Sequence, residues 1–384
     1  MKKTLLICSV LILTSFQSSK ADNSQGFMIP FLTTAASVRA QALGNAGVTD
    51  IGIGSHTINP ASLALREESG FISVTLFPTR AILRDSFGEM GFNFYDISTV
   101  IPPSKEQNSS KISIGLAFNY YKLNNGSWVG PIQLDNGTWI GPFQVNPSYS
   151  GSKKAFDESF SGTFSLAKKG KFQYGIGVSF RYFNSVLTDT YSINGYLFDF
   201  GIILNKSFGG NQQHSAASFW RVTPSIGISF LNIGSNQQYS QWAKEDSPPK
   251  TTRMGTSVAF DLVADNHARI SIVQLFEVEK LQFPNREYIW HFGGEVGIQE
   301  LVYLLIGKLN DANNNASQFT WGFRFSSRGL FHLLNKSRKT TSNLSSSALL
   351  NHLSLDLSFA KHLNDQQSIL SGTNFLNLNA MYEF

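Results

Sequence analysis

Charge is scarce in this sequence. Charged residues make up 15% of the chain, against roughly 25% in an average soluble domain, so the composition does not match that of an ordinary cytosolic enzyme. Cysteine is nearly absent as well. Cys8 is the only one, which excludes a disulfide framework and a thiolate metal centre. Long apolar runs are missing beyond the first two dozen residues: none reaches the 18 or more residues of a spanning helix, and the mean hydropathy is -0.09. A helical membrane protein is therefore excluded. Disorder is excluded for most of the chain by the opposite signal, since 32 phenylalanines and 32 glycines are more aromatic and turn-forming material than a disordered chain carries. The formal net charge is +5. Apart from Arg328, Lys336, Arg338 and Lys339 the basic residues are scattered, so no nucleic-acid surface is expected.

What is present begins with an export signal. Lys2 and Lys3 precede the apolar stretch from Leu5 to Leu13, and Ser19-Lys20-Ala21 forms a small-x-small cleavage site, the pattern of a secretory signal peptide over residues 1–21. Its removal would also remove Cys8.

The remainder repeats with period two. Ile112, Ile114, Leu116, Phe118 and Tyr120 alternate with Ser113, Gly115, Ala117 and Asn119, as in a strand whose faces meet different surroundings. Tyr174 to Tyr182, Phe319 to Phe325 and Leu353 to Phe359 repeat the pattern. A water-soluble sandwich would carry Lys and Glu on its polar face and strands of about 5 to 6 residues. Here the polar face is Gly, Ser, Asn and Thr and the segments run to about ten residues, the pattern of a transmembrane strand with lipid on one side and a lumen on the other. In hydrocarbon such a sheet must close, because an open edge leaves backbone groups unpaired. The expected fold is an all-β, transmembrane antiparallel β-barrel of about fourteen strands, with twelve or sixteen left open by weak patterning in three segments. Lys168 to Lys171, Ala264 to Asn266 and Gln299 fit short periplasmic turns, while 123–155 and 233–250 fit long extracellular loops. The Ser- and Lys-rich segment 327–349 falls on the periplasmic side, where connections should be short. At the end of the chain, Leu376, Leu378, Ala380, Tyr382 and Phe384 alternate with polar residues. A last strand of this kind resembles the signal that barrel assembly machinery reads, which assigns Tyr382 and Phe384 to assembly.

Residues 26–66 do not alternate. Thr33 or Thr34 can cap a short helix over Ala35 to Leu43, which Gly44 would end. Asn59 can cap a second helix whose first residue, Pro60, needs no amide hydrogen. A segment of small residues and short helices placed before the first strand can fold into the lumen of a wide barrel or lie outside it as a periplasmic extension. The residues alone leave both open. The 123–155 loop holds a tandem repeat in which Asn125 to Gln133 is echoed by Asn136 to Gln144, with Trp128 and Trp139 in equivalent places. The two tryptophans could contact a glycan or a partner, or the repeat could form a hairpin extension with Asn-Gly turns.

Catalytic chemistry is not expected. His352, Ser354 and Asp356 fall on the polar face of one segment and His291 and Glu295 on that of another. Residues two or four apart on a strand are roughly 7 to 13 Å apart, too far for a nucleophile and base to bond. No metal-ligand spacing, phosphate loop or dinucleotide motif occurs, and no cofactor is expected.

The run from Val38 to Val48, VRAQALGNAGV, followed by Asn59-Pro60-Ala61-Ser62-Leu63-Ala64, resembles the amino-terminal signature of the PorV/PorQ family, which is itself similar to FadL, the outer-membrane long-chain fatty acid transporter. Asn45 stands where a second glycine is usual, and Ser62 where glycine is common. The resemblance implies a fourteen-stranded barrel with an amino-terminal hatch in its lumen, containing Arg39, Gly44, Gly47, Asn59, Pro60 and Ala61. It divides the chain into a signal peptide (1–21), a plug segment (22–66) and a barrel (67–384) in the outer membrane of a Gram-negative bacterium. FadL-like members move hydrophobic compounds inward, and PorV-like members accept cargo in type IX secretion. The implied partners are thus outer-membrane lipid, the assembly machinery, and either a hydrophobic ligand or a secreted cargo protein.

Overall fold

The computed structural model describes residues 32, 35–66, 70–82, 89–103, 112–124, 128–129, 132–133, 139–140, 143–144, 156–170, 172–186, 192–209, 218–237, 247–264, 267–282, 286–312, 316–331, 352–363 and 372–384. The expected signal peptide and its cleavage site lie outside the described residues, as do Thr33, Thr34 and most of 327–349.

Fourteen strands form one closed ring: β1 (Phe71–Ile82), β2 (Glu89–Ile101), β3 (Ile112–Asn124), β4 (Phe156–Lys168), β5 (Phe172–Val186), β6 (Ser192–Lys206), β7 (Phe219–Ile233), β8 (Thr251–Ala264), β9 (His267–Leu281), β10 (Ile289–Ile298), β11 (Val302–Asp311), β12 (Ala316–Ser326), β13 (Leu353–His362) and β14 (Asn374–Glu383). Each pairs antiparallel with the next, and the ring closes where β1 meets β14, with Ile72 opposite Tyr382 and Leu76 opposite Leu378. This settles the strand number at fourteen. An even number places both ends of the sheet at one rim, and the connections 169–171, 265–266 and 299–301 at that rim are short. Residues 327–331 continue from β12 as a helical turn at the same rim.

The faces divide as the alternation requires. On β5, Tyr174, Ile176, Val178 and Phe180 are exposed while Gly175, Gly177 and Ser179 are buried. Ile97, Phe118, Tyr196, Ile226, Leu304, Phe323 and Leu378 put exposed apolar groups on other staves of the ring. So much apolar surface in contact with water would cost about 25 cal/mol for each Å². Facing lipid it costs nothing, and the tilted closed sheet leaves no backbone edge in hydrocarbon. The fold is a transmembrane barrel.

The tandem repeat in the loop forms two small antiparallel ladders. Trp128 pairs with Gln144 and Val129 with Phe143, and Ile132 pairs with Ile140 and Gln133 with Trp139. This is the pairing of a hairpin extension. The tryptophan side chains lie outside the described residues.

Candidate functional site

The lumen is occupied by the segment before β1. Residues 35–66 form α1 (Val38–Ala42), a 3₁₀ turn at Ser55–Thr57 and α2 (Ser62–Leu65), and they touch inward-facing residues on strands all round the ring. Both helices are shorter than the sequence suggests. Ser37, with extended φ/ψ, interrupts the first, and its Oγ accepts from the Ala40 N–H at 3.3 Å. The second starts at Ser62, yet Asn59 still bonds the turn that leads into it, its Oδ1 accepting from the Ala61 N–H at 3.1 Å.

Six residues singled out from the sequence sit in this plug. Arg39 projects from α1 toward β10 and grips Glu295 through two bonds, Nε to Oε2 at 2.7 Å and Nη2 to Oε1 at 3.2 Å, while Nη1 pairs with Asp50. A forked, charge-assisted contact of this kind fixes orientation as well as position. Gly44 follows α1 at φ +70, and a Cβ there would meet the backbone of Lys308 at 2.6 Å. Its N–H donates to Thr320 Oγ1 at 3.0 Å, and Thr320 Oγ1 donates to the Ala42 carbonyl at 2.8 Å. Asn45 is also left-handed, at φ 65, a conformation that asparagine tolerates better than most residues. The Gly47 and Val48 N–H groups both donate to Glu277 Oε2 on β9, at 2.6 and 2.8 Å.

Asn59, Pro60 and Ala61 press against β5 and β6. Asn59 is fully buried, and its Nδ2 faces the carbonyls of Val48 at 2.7 Å and of Ile202 and Ile228 at 3.3 Å each. A Cβ on Gly201 would collide with the Asn59 amide and one on Gly177 with Pro60. The wall residues are glycines because the plug backbone comes that close. Ser62 Oγ accepts from Ser55 Oγ at 3.0 Å. Across the lumen, His56 Nε2 lies 3.1 Å from Asn119 Oδ1 and 3.3 Å from Asp96 Oδ1.

The wall itself changes character along its length. Near the rim that holds both ends of the sheet, inward residues are polar, among them Ser73, Ser98, Ser113, Ser165 and Asn379, and a cavity of about 380 Å³ lies there beneath the plug, lined by Arg39, Asp50, Glu295, Arg324, Arg328 and Asp356. Toward the opposite rim one side of the wall, from β14 round to β6, carries the buried apolar residues Phe77, Phe92, Phe94, Tyr121, Phe183, Leu197 and Phe375, while Asp157, Ser185, Thr251, Glu279, His291 and His362 are buried at the same rim. Phe77 stacks on Phe375 at 6.1 Å and meets Phe94 edge-on at 6.3 Å, and Phe92 meets Tyr121 at 5.9 Å. These join Leu32, Ala36, Val38, Ala42 and Leu43 of the plug in one apolar cluster. Period-two reasoning missed these aromatics because it assigns one face as polar throughout. Their signal is the adjacent apolar pair, as in Tyr120-Tyr121, Tyr182-Phe183 and Phe375-Leu376, which makes both faces apolar at once.

Of the remaining sequence candidates, Tyr382 and Phe384 are exposed on the outside at the closing seam, and the Phe384 N–H donates to the Gly70 carbonyl at 3.0 Å. Ser354 and Asp356 face inward, but His352 is exposed and its ring lies 5.9 Å from that of Tyr382. It precedes β13 and does not share the polar face. Among the described residues no group of three or more His, Cys, Asp or Glu is placed to hold a metal ion.

No protein-family model matches the chain, and no curated protein matches it. Solved structures similar to it include the Pseudomonas putida toluene transporter TodX, at 9% identity and a TM-score of 0.43 over 90% of this chain and 96% of that one. The Ralstonia pickettii toluene transporter TbuX is 11% identical with a TM-score of 0.42, covering 90% of this chain and 98% of that one. A Pseudomonas aeruginosa FadL homologue is 11% identical with a TM-score of 0.41, covering 94% and 100%.

Proposed function

We propose that the chain is an outer-membrane channel that admits hydrophobic small molecules at its extracellular rim and controls their passage with an amino-terminal plug. In this reading residues 1–21 are cleaved on export, 22–66 are the plug and 67–384 the barrel. One observation carries it. A cluster of inward-facing aromatic rings packs against residues 32–43 on one side of the lumen, toward the rim opposite the ends of the sheet, which is the extracellular rim of a Gram-negative outer-membrane barrel. Rings at that position lower the cost of bringing an apolar solute out of water by about 25 cal/mol per Å² of solute surface covered.

The test is binding of a fluorescent apolar probe to the purified barrel. Phe94→Asp and Phe183→Asp each put a carboxylate into the apolar cluster and are expected to weaken binding at least about tenfold, or about 1.4 kcal/mol, with heat-modifiable gel mobility retained. Unchanged binding in both variants would remove the transport reading, and docking of secreted cargo at the extracellular loops would take its place.

A further inference from the structure

Arg324 lines the cavity of about 380 Å³ beneath the plug, and the wall holds its side chain in place without giving it a counter-charge. Tyr303 of β11 pairs with Arg324 of β12 in the ladder, and the guanidinium carbon lies 3.8 Å from the centre of the Tyr303 ring. The same ring rests against Gly297 of β10, where a Cβ would come within 2.6 Å of Tyr303 Cδ1. Glycine at that place lets the ring come against the wall, and the ring holds the guanidinium over its face by a cation–π contact.

That contact uses a face of the guanidinium and none of its hydrogens. Arginine carries five N–H donors and no acceptor. The Arg324 Nε is buried with no hydrogen-bond partner, and among the described residues no carboxylate lies at ion-pair distance from the group. Neighbouring charges do have partners: Arg39 holds Asp50 and Glu295, Arg221 holds Asp261 and Arg328 holds Glu383, while Asp356 accepts from Asn379 Nδ2 at 3.4 Å. A half-buried cation with unmet donors is costly until an acceptor reaches it, and the cavity is the way in.

We propose that Arg324, seated on Tyr303, is the binding site for a small organic carboxylate that enters the cavity from the rim holding both ends of the sheet. A planar pair of oxygens matches the guanidinium fork. Glu295, Glu300 and Asp356 share the lining and repel a dianion, so a singly charged group is favoured over phosphate. The volume is at the lower end of ligand pockets, roughly 300 to 1,000 Å³, and suits a molecule on the scale of benzoate. The site is built on the wall and stands whichever hydrophobic solute or cargo the barrel handles. Its carboxylate has two sources, a free organic anion outside the barrel and the head of a hydrophobic molecule leaving the lumen.

The experiment is equilibrium binding of radiolabelled benzoate to the full chain in detergent at neutral pH, with benzyl alcohol, acetate and phosphate as competitors. Saturable binding that benzyl alcohol does not displace is expected, and Arg324→Gln is expected to weaken it at least about tenfold with heat-modifiable gel mobility retained. Displacement by acetate at concentrations like those of benzoate supports the site with a free anion as its source; a need for at least about tenfold more acetate supports it with a hydrophobic molecule as the source. Absence of saturable binding, displacement by benzyl alcohol or phosphate as effective as by benzoate, or unchanged affinity in Arg324→Gln would overturn the inference. If that variant fails to assemble, Asp356→Asn decides. Removing this negative charge from the lining is expected to tighten benzoate binding about threefold, and unchanged or weaker binding overturns the site.

Discussion

Asn59 and Arg39 hold the plug by different physics, and they fail differently. Asn59 makes neutral bonds, so Asn59→Ala loses a cap worth about 1 kcal/mol and leaves two strand carbonyls to find water. The expected result is a looser plug, seen as faster protease cleavage within 35–66, in an intact barrel. Arg39 neutralises two buried carboxylates, and removing one partner of such a pair costs about 3 to 5 kcal/mol. Arg39→Ala is therefore expected to unseat the plug further than Asn59→Ala by the same assay, and Arg39→Ala combined with Glu295→Gln to recover part of the loss. Equal cleavage of both single variants would contradict this ordering. At this scale the sequence is only half informative. The cap box at Asn59 is local and legible, whereas Arg39 and Glu295 are 256 residues apart and no spacing rule connects them.

The strands were readable because each carries its own instruction: lipid outside and small polar groups inside impose period two on every stave of the ring. The short helices were less readable, since a helix of four or five residues is fixed by the wall around it and hardly by its own propensity. The glycines of β5 and β6 belong to this scale too. Gly177→Val places a branched side chain where Pro60 sits, and overpacking of this kind costs about 1 to 3 kcal/mol. The expected outcome is higher conductance in planar bilayers with gel mobility unchanged. Normal conductance would mean that the Asn59-Pro60-Ala61 box does not set the seal. At the seam, deletion of Phe384 removes the bond to Gly70 and an outward ring and is expected to lower the yield of heat-modifiable barrel, while the lumen-facing Asn377 and Asn379 stay in place.

For the whole molecule, the inner wall of the ring carries more acids than bases among its buried residues. The inner surface of the ring carries Asp96, Asp157, Asp199, Glu277, Glu279, Glu295, Asp311 and Asp356 among its buried residues, against the buried Arg253 and the partly buried Arg181 and Arg324. Deleting 22–66 removes Arg39 and Arg66 together with Asp22 and Asp50, so the acids of the wall itself set the selectivity, and the emptied barrel is expected to conduct more strongly and to prefer cations, measurable as a shifted reversal potential in a salt gradient. An anion-selective or unaltered channel would place the segment outside the pore. Opening of the intact protein is a different matter, because the plug is on a leash. Five residue steps separate Arg66 from Phe71, at most about 17 Å when stretched, and the Arg66 guanidinium already rests 4.5 Å over the Phe71 ring. The end of the plug nearest β1 therefore stays at the seam whatever the rest does, so any displacement in the proposed channel falls on the stretch that carries Arg39, Gly44 and Asn59. In the channel proposed above, opening would swing a door hinged on its own closing strand, and its widest state would remain narrower than the barrel with the plug cut away.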